Sequence, residues 1–361
     1  MIYFILDNIY NKNVNNGIYL RYKNFISWLL NNKKHVTLVT RKIKNITYPE
    51  NLTVKYIPFV KYIYYSEVYV PIFINISKII SDKSTVVTLF EYSVLNLTML
   101  PNDVTLILGY HTNIHLYVSN FFEKLMYFVN SKLFTYYIDI DPKLILISGY
   151  SCNSIIEKYL PNNKKFIWYD MNSTFLDYPI IKYNYNKEKE INMIYTGRIS
   201  CIQKNIDTLI EILYKYNETY GKAKLTLYGN GPDINKYKNN DIINFYGNVD
   251  QDTLYNEYKK YINKNAVFVF ASTTETLGKS PIEASLCGLP VFTAISPETP
   301  FIYKDGINGY TFTSVNECCK KINKFIHLPK NEQKNIMKNG KRIKKFFDPN
   351  IHSILYNQII K

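Results

Sequence analysis

Two glutamates eight residues apart, Glu275 and Glu283, stand on either side of a glycine in ASTTETLGKSPIEASLCGLPV, residues 271–291. The run just before them, VFVFAS, is apolar and reads as a buried strand, which makes TTETLGKS a loop at the carboxyl end of a sheet. Pro281 suits the first turn of a helix, where its missing N–H costs nothing, and Gly288 followed by Pro290 stops that helix. The spacing therefore predicts a helix from about Ser280 to Leu286. The backbone N–H groups of Thr276, Leu277, Gly278 and Lys279 gather at its N-terminus, where the helix dipole favours a phosphate. Gly278 has no side chain to hold an anion away. Glu283, one turn in, can accept hydrogen bonds from ribose hydroxyls. Glu275, ahead of the loop, meets the other end of such a ligand, where a sugar hydroxyl is its natural partner. The two carboxylates then serve opposite ends of one nucleotide sugar and need not form an acid/base pair. The competing account is a pair of solvated carboxylates.

Further segments add charge and open backbone. YTGRISCIQKN places Arg198 and Lys204 between a strand end and the next helix. Two cations there can neutralise a diphosphate leaving group in place of a metal ion. Gly229 lies in LYGNGP, a strand followed by a Gly-x-Gly-Pro turn tight enough to admit a flat base nearby; FYGNV, residues 245–249, is a similar strand-end turn. A G-x-G-x-x-G dinucleotide fingerprint is absent. Gly17, between the first strand and first helix, could still let a sugar or phosphate approach the backbone, or serve an ordinary turn. His111 directly follows the strand VTLILGY, on the cleft side, which favours a functional role over a structural one.

Apolar strand-like runs alternate with amphipathic helical runs, the signature of parallel sheets built from βαβ units. Strands are expected at 2–6, 35–40, 84–90, 104–110 and 144–148, with a helix from Ile18 to Leu30 whose stripe is Ile18, Tyr22, Phe25, Ile26 and Leu29. Another helix is expected in SCNSIIEKYL. The pattern lapses over 173–190 and restarts at INMIYTG, so a domain hinge is expected there. Strands at 191–197 and 224–229 follow, then INFYG, AVFVFAS and PVFTA, with helices between. The length of 361 residues suits two domains. The expected fold is α/β, with two doubly wound Rossmann-like domains facing across a cleft and ligands outside the carboxyl ends of the strands.

The net charge of +15 rests on 44 basic residues, of which Arg21, Arg41, Arg198 and Arg342 are the arginines. The lysines are scattered, and Lys, Asn, Ile, Tyr and Phe share AT-rich codons, so no nucleic-acid partner is expected. The five cysteines form no C-x-x-C pair and no ligand spacing with histidine, which suits a reducing compartment. The start, MIYFILDNIY, reads as a buried strand and not as a signal peptide. No membrane span is expected. The expected location is cytoplasmic, with peripheral contact at a membrane surface open to the basic, aromatic-rich segments 60–73 and 120–137. Buried core elements account for those two segments equally well.

At these residues the chain resembles the retaining glycosyltransferases of family 4, which have the GT-B fold. The family's Glu-x7-Glu signature is Glu275 to Glu283. Its diphosphate-binding pair fits GR…KN at Gly197, Arg198, Lys204 and Asn205, with one residue more between Arg and Lys than is commonest. YGNGP stands where the family usually has GDGP, with Asn230 in the acidic position, and KDGINGYTF resembles the family's DG-x-x-G segment. GIYLRYKNFISWL and GYHTNIHLY look like the sulfolipid (sulfoquinovosyl diacylglycerol) synthase branch.

The resemblance implies an acceptor-side domain over 1–175, a nucleotide-sugar-binding domain over 176–345, and a C-terminal helix at 346–361 packing back toward the first. It implies that Arg198 and Lys204 bind the diphosphate and Glu283 the ribose. Glu275 and the amides of Thr276, Leu277 and Gly278 hold the sugar and distal phosphate. His111 contacts the sugar near the reacting carbon, Gly17 lines the opposite wall, and Gly229, Asn248 and Val249 sit on the nucleotide side, the last two near the base. The donor is a nucleotide sugar, with UDP favoured by family frequency; the acceptor is a lipid or a glycan; no metal or other cofactor is expected. Front-face substitution follows, with the leaving diphosphate taking the acceptor proton. Three rivals stand beside this reading: a nucleotide-sugar epimerase of the same fold, a metal-dependent transferase using Asp139 and Asp141 or the second Asp-x-Asp at Asp250 and Asp252, and a binding module without catalysis.

Overall fold

The computed structural model describes residues 1–7, 9–10, 17–64, 66–71, 76–89, 100, 103–110, 142–149, 162, 164–168, 175, 179, 185, 190–238, 240–261, 264–272, 275 and 277–360. The chain divides into two compact units, Met1–Asp170 with Pro349–Lys361, and Met171–Asp348.

The first unit is built on a seven-stranded parallel sheet. Its strands are β1 (Ile2–Ile5), β2 (Val36–Thr40), β3 (Thr53–Tyr56), β6 (Thr85–Leu89), β7 (Thr105–Tyr110), β8 (Leu144–Ile147) and β9 (Lys165–Ile167), in the order β3-β2-β1-β6-β7-β8-β9. β1, β2 and β8 are buried along their whole length, because a parallel sheet covered on both faces needs unbroken apolar runs. Helix α1 (Gly17–Asn31) follows β1 and buries Tyr22, Phe25, Ile26 and Leu29 of the expected stripe, with Ile18 partly buried. Phe4 meets Tyr22 and Phe25 edge-on, at 6.3 and 6.0 Å between centroids. In this unit β3, β4, β5 and β9 escaped the sequence reading. β3 is only half-buried, with Lys55 in it, and shows no clean alternation. β4 (Phe59–Tyr64) and β5 (Ser66–Pro71) form a separate antiparallel hairpin.

The second unit carries a six-stranded parallel sheet. Its strands are β10 (Ile191–Thr196), β11 (Ala223–Tyr228), β12 (Ile243–Gly247), β13 (Asn265–Phe270), β14 (Val291–Ala294) and β15 (Tyr310–Phe312), in the order β12-β11-β10-β13-β14-β15. Helices alternate with them: α2 (Cys201–Lys204), α3 (Ile206–Thr219), α4 (Gln251–Lys259), α5 (Lys279–Leu286), α6 (Thr299–Ile302), α7 (Val315–His327) and α8 (Lys330–Lys341). The last helix, α9 (Ile351–Ile360), belongs to the first unit, where Leu355 and Ile359 join the core of Phe4, Phe25 and Trp168. The helix expected in SCNSIIEKYL and the segment 120–137 lie outside the described residues.

Candidate functional site

In the second unit the strands run parallel, so their carboxyl ends share one edge, and Arg198, Lys204, Gly229, Asn248, Glu275 and Gly278 lie in the segments that follow those ends. Two strand-end loops are packed backbone to backbone. The Gly197 N–H donates to the Tyr228 carbonyl at 2.9 Å, the Ile199 N–H to Asn230 at 3.0 Å, and the Gly229 N–H to Gly247 at 2.7 Å. A Cβ on Gly229 would fall 1.9 Å from the Gly197 oxygen, and one on Gly231 2.0 Å from the Ile199 oxygen. Gly229 also holds φ +138°. Glycine is needed here because the two loops touch; the space beside Gly229 is taken by the Gly197 carbonyl. Asn230, in the position where the resembling family has an acid, accepts the Gly231 N–H with its own side chain at 2.8 Å.

Lys204 is the last residue of α2, and Asn205 turns the chain through the left-handed region (φ 52°, ψ 46°) into α3. Asn tolerates that conformation better than most residues, and its Oδ1 accepts the Thr208 hydroxyl at 3.0 Å. Across the sheet edge, Lys204 Nζ donates to Glu275 Oε1, and it sits 5.4 Å above the ring of Phe270, the last residue of β13. The pair is largely screened from water, with 15% and 13% of the two side chains exposed. Phe270 in turn stacks on Tyr195 from β10, at 5.9 Å between centroids and 15° between planes. The Tyr195 hydroxyl donates to the Arg198 carbonyl at 2.9 Å. Burial drives the Tyr195 phenol well above its ordinary value, the Glu275 carboxylate adds to that, and the Arg198 guanidinium opposes it. Arg198, Lys204 and Glu275 thus gather around one pair of stacked rings. Neither ring was singled out in the sequence: both sit in apolar strands and look like ordinary core.

Gly278 precedes α5 with φ 69° and ψ 65°, a left-handed N-cap. A Cβ there would lie 3.9 Å from the Glu275 side chain, which puts the bare backbone beside the ion pair. Leu277 is buried. Glu283 is buried in α5, at 8% exposure, and is therefore not a solvated helix carboxylate. Burial lifts its carboxyl to about 7, with Lys279 pulling the other way. α5 is backed by a Ser285–Tyr303 hydroxyl contact of 3.1 Å and by Gly340 of α8 packed on Ser285. Asn248 is exposed and Val249 half-buried in the turn after β12.

Gly17 is the first residue of α1, in the other unit. His111, Thr276, Asp139 and Asp141 lie outside the described residues. The second Asp-x-Asp has a structural use: Asp250 caps α4, accepting the Thr253 N–H and hydroxyl, each at 2.8 Å. Asp233 accepts the Cys201 N–H at 2.7 Å at the start of α2, a cap that no spacing in the sequence advertises.

Residues 179–343 match the family described as glycosyl transferases group 1. A stretch of 154 residues, 41% of the chain, is 29% identical to alpha-monoglucosyldiacylglycerol synthase of Acholeplasma laidlawii and covers 37% of it. Another, of 143 residues and 37% of the chain, is 30% identical to sulfoquinovosyl transferase SQD2 of Arabidopsis thaliana and covers 26% of it. The matches thus span about a third or less of these two relatives. Among solved structures, Anabaena HepE in complex with UDP and glucose superposes with a TM-score of 0.65 over 100% of this chain and 99% of that one, at 14% identity. That likeness extends over both parallel-sheet units.

Proposed function

We propose, from a chain with the GT-B fold whose residues 179–343 belong to the group 1 glycosyltransferases, that this protein transfers a sugar from a UDP-sugar to a lipid hydroxyl. The observation that carries the reading is the convergence of Lys204 and Glu275 beside the left-handed Gly278 at the start of α5, with Arg198 on the same edge. A diphosphate seated there meets two cations and a helix N-terminus. The sugar it carries meets Glu275, and the ribose meets Glu283. The α-monoglucosyldiacylglycerol synthase likeness supports a diacylglycerol-type acceptor, and the UDP held by HepE supports the uridine nucleotide.

Transfer proceeds with retention and without a metal ion. Arg198 and Lys204 stabilise the negative charge that builds on the departing diphosphate, which takes the acceptor proton on the same face of the sugar. Binding energy goes into holding donor and acceptor in line. The test is incubation of purified protein with a panel of labelled sugar nucleotides and a lipid extract, with and without EDTA, followed by assignment of the anomeric configuration of the product. A labelled glycolipid of retained configuration, formed equally in EDTA, is expected. Loss of activity in EDTA overturns metal independence. An altered sugar nucleotide released without acceptor turns the reading to an epimerase.

A further inference from the structure

Lys204 and Glu275 face different parts of the ligand proposed above, the diphosphate and the sugar, yet in the structure they hold each other. Their geometry is fixed from behind. Lys204 ends α2 at the left-handed Asn205, and its ammonium rests on the Phe270 ring, itself stacked on Tyr195. With most of both side chains out of water, taking the cation from this carboxylate is costly unless another donor replaces it.

We propose that the Lys204–Glu275 ion pair selects for nucleotides that carry a sugar, disfavouring the bare nucleoside diphosphate and so promoting its release after transfer; this rests on reading the site as a nucleotide-sugar site. A bare diphosphate that draws on Lys204 leaves Glu275 without its cation and brings two like charges together. An ammonium that bridges both anions still leaves the carboxylate repelling the phosphates. A nucleotide sugar removes the conflict, because its hydroxyls donate to Glu275 while the phosphates take Lys204. Once the sugar has moved to the acceptor, those hydroxyls are gone, and Glu275 reclaims the ammonium. The same carboxylate therefore helps the substrate and opposes the product.

The test is calorimetric titration of the full chain with UDP, GDP, ADP and inorganic pyrophosphate, for the wild type, Glu275→Gln and Glu275→Ala. Glu218→Gln, an equal change of net charge on exposed α3, is the control. Thermal unfolding confirms that each variant is folded. Removing the carboxylate is expected to tighten UDP and pyrophosphate about tenfold, equivalent to about 1.4 kcal/mol, while turnover with the sugar nucleotide falls. Glu218→Gln is expected to leave affinity unchanged. Wild-type UDP binding that stays equal or weakens in both Glu275 variants overturns the selection role and leaves the nucleotide-sugar site standing. Equal tightening in Glu218→Gln overturns it as well, as a net-charge effect. A wild type that binds none of the four ligands removes the site reading and this inference together.

Discussion

Glu283 shows how one residue type can mean different things in a sequence and in a fold. Its burial lifts the carboxyl to about 7, above the ordinary carboxylate range. A raised folded-state value means that its contribution to stability is fully present below about pH 4.5 and is lost as pH rises through about 7, when the buried group must ionise. Glu283→Gln should therefore gain stability relative to the wild type between about pH 5 and 8; parallel denaturation curves over that range check it, and a pH-independent difference contradicts it. Ribose hydroxyls that donate to the carboxylate favour its ionised form. UDP binding near pH 6 is thus expected to release protons, read by titration in buffers of different ionisation enthalpy, and Glu283→Ala should weaken UDP while remaining folded. Lys204→Ala is expected to lower turnover by about 10²–10³-fold, the scale of losing one electrostatic contact to developing charge. Unchanged turnover removes Lys204 from the mechanism.

The strand-end loops set the precision of the site at the scale of elements. Gly229 and Gly231 let the loops after β10 and β11 meet at backbone contact. Gly229→Ala forces a Cβ into the Gly197 carbonyl at a φ that side chains disfavour. A loss of at least about 2 kcal/mol is expected, measured by circular dichroism during thermal unfolding, together with weaker UDP binding because the Arg198 loop is displaced. The sequence marked these glycines as functional from their spacing but could not say what fills the space beside them. The run 195–205 similarly offered two cations, while only the fold set Lys204 on the Phe270 ring and tied the Arg198 carbonyl to Tyr195. An aromatic in an apolar strand carries no sign of such a task.

At the scale of the whole molecule, the chain leaves its first unit, builds the second, and returns at Pro349 to finish the first. Leu355 is fully buried in the core that Phe4, Phe25 and Trp168 share, and the His352 ring lies 5.6 Å from that of Phe25. Both tryptophans of the chain, Trp28 and Trp168, belong to this unit, so their fluorescence reports on it alone. Leu355→Ala is expected to cost about 2–5 kcal/mol, seen as an earlier fluorescence transition in denaturant. An unshifted transition contradicts a structural role for the returning helix. Among the described residues, no helix is long and apolar enough to cross a membrane.

The α/β class, the parallel strands and the run from Glu275 to Glu283 were determined by sequence alone, because unbroken apolar runs, helical stripes and Pro and Gly stops are local properties of a chain. β3 and the β4–β5 hairpin were not legible, since half-buried and separately paired strands leave no single periodicity. Only the tertiary structure decided that Lys204 grips Glu275, 71 positions away, and that Glu283 is dry. The reason is physical: contact and desolvation depend on what the rest of the chain brings alongside, and no spacing within a segment encodes that.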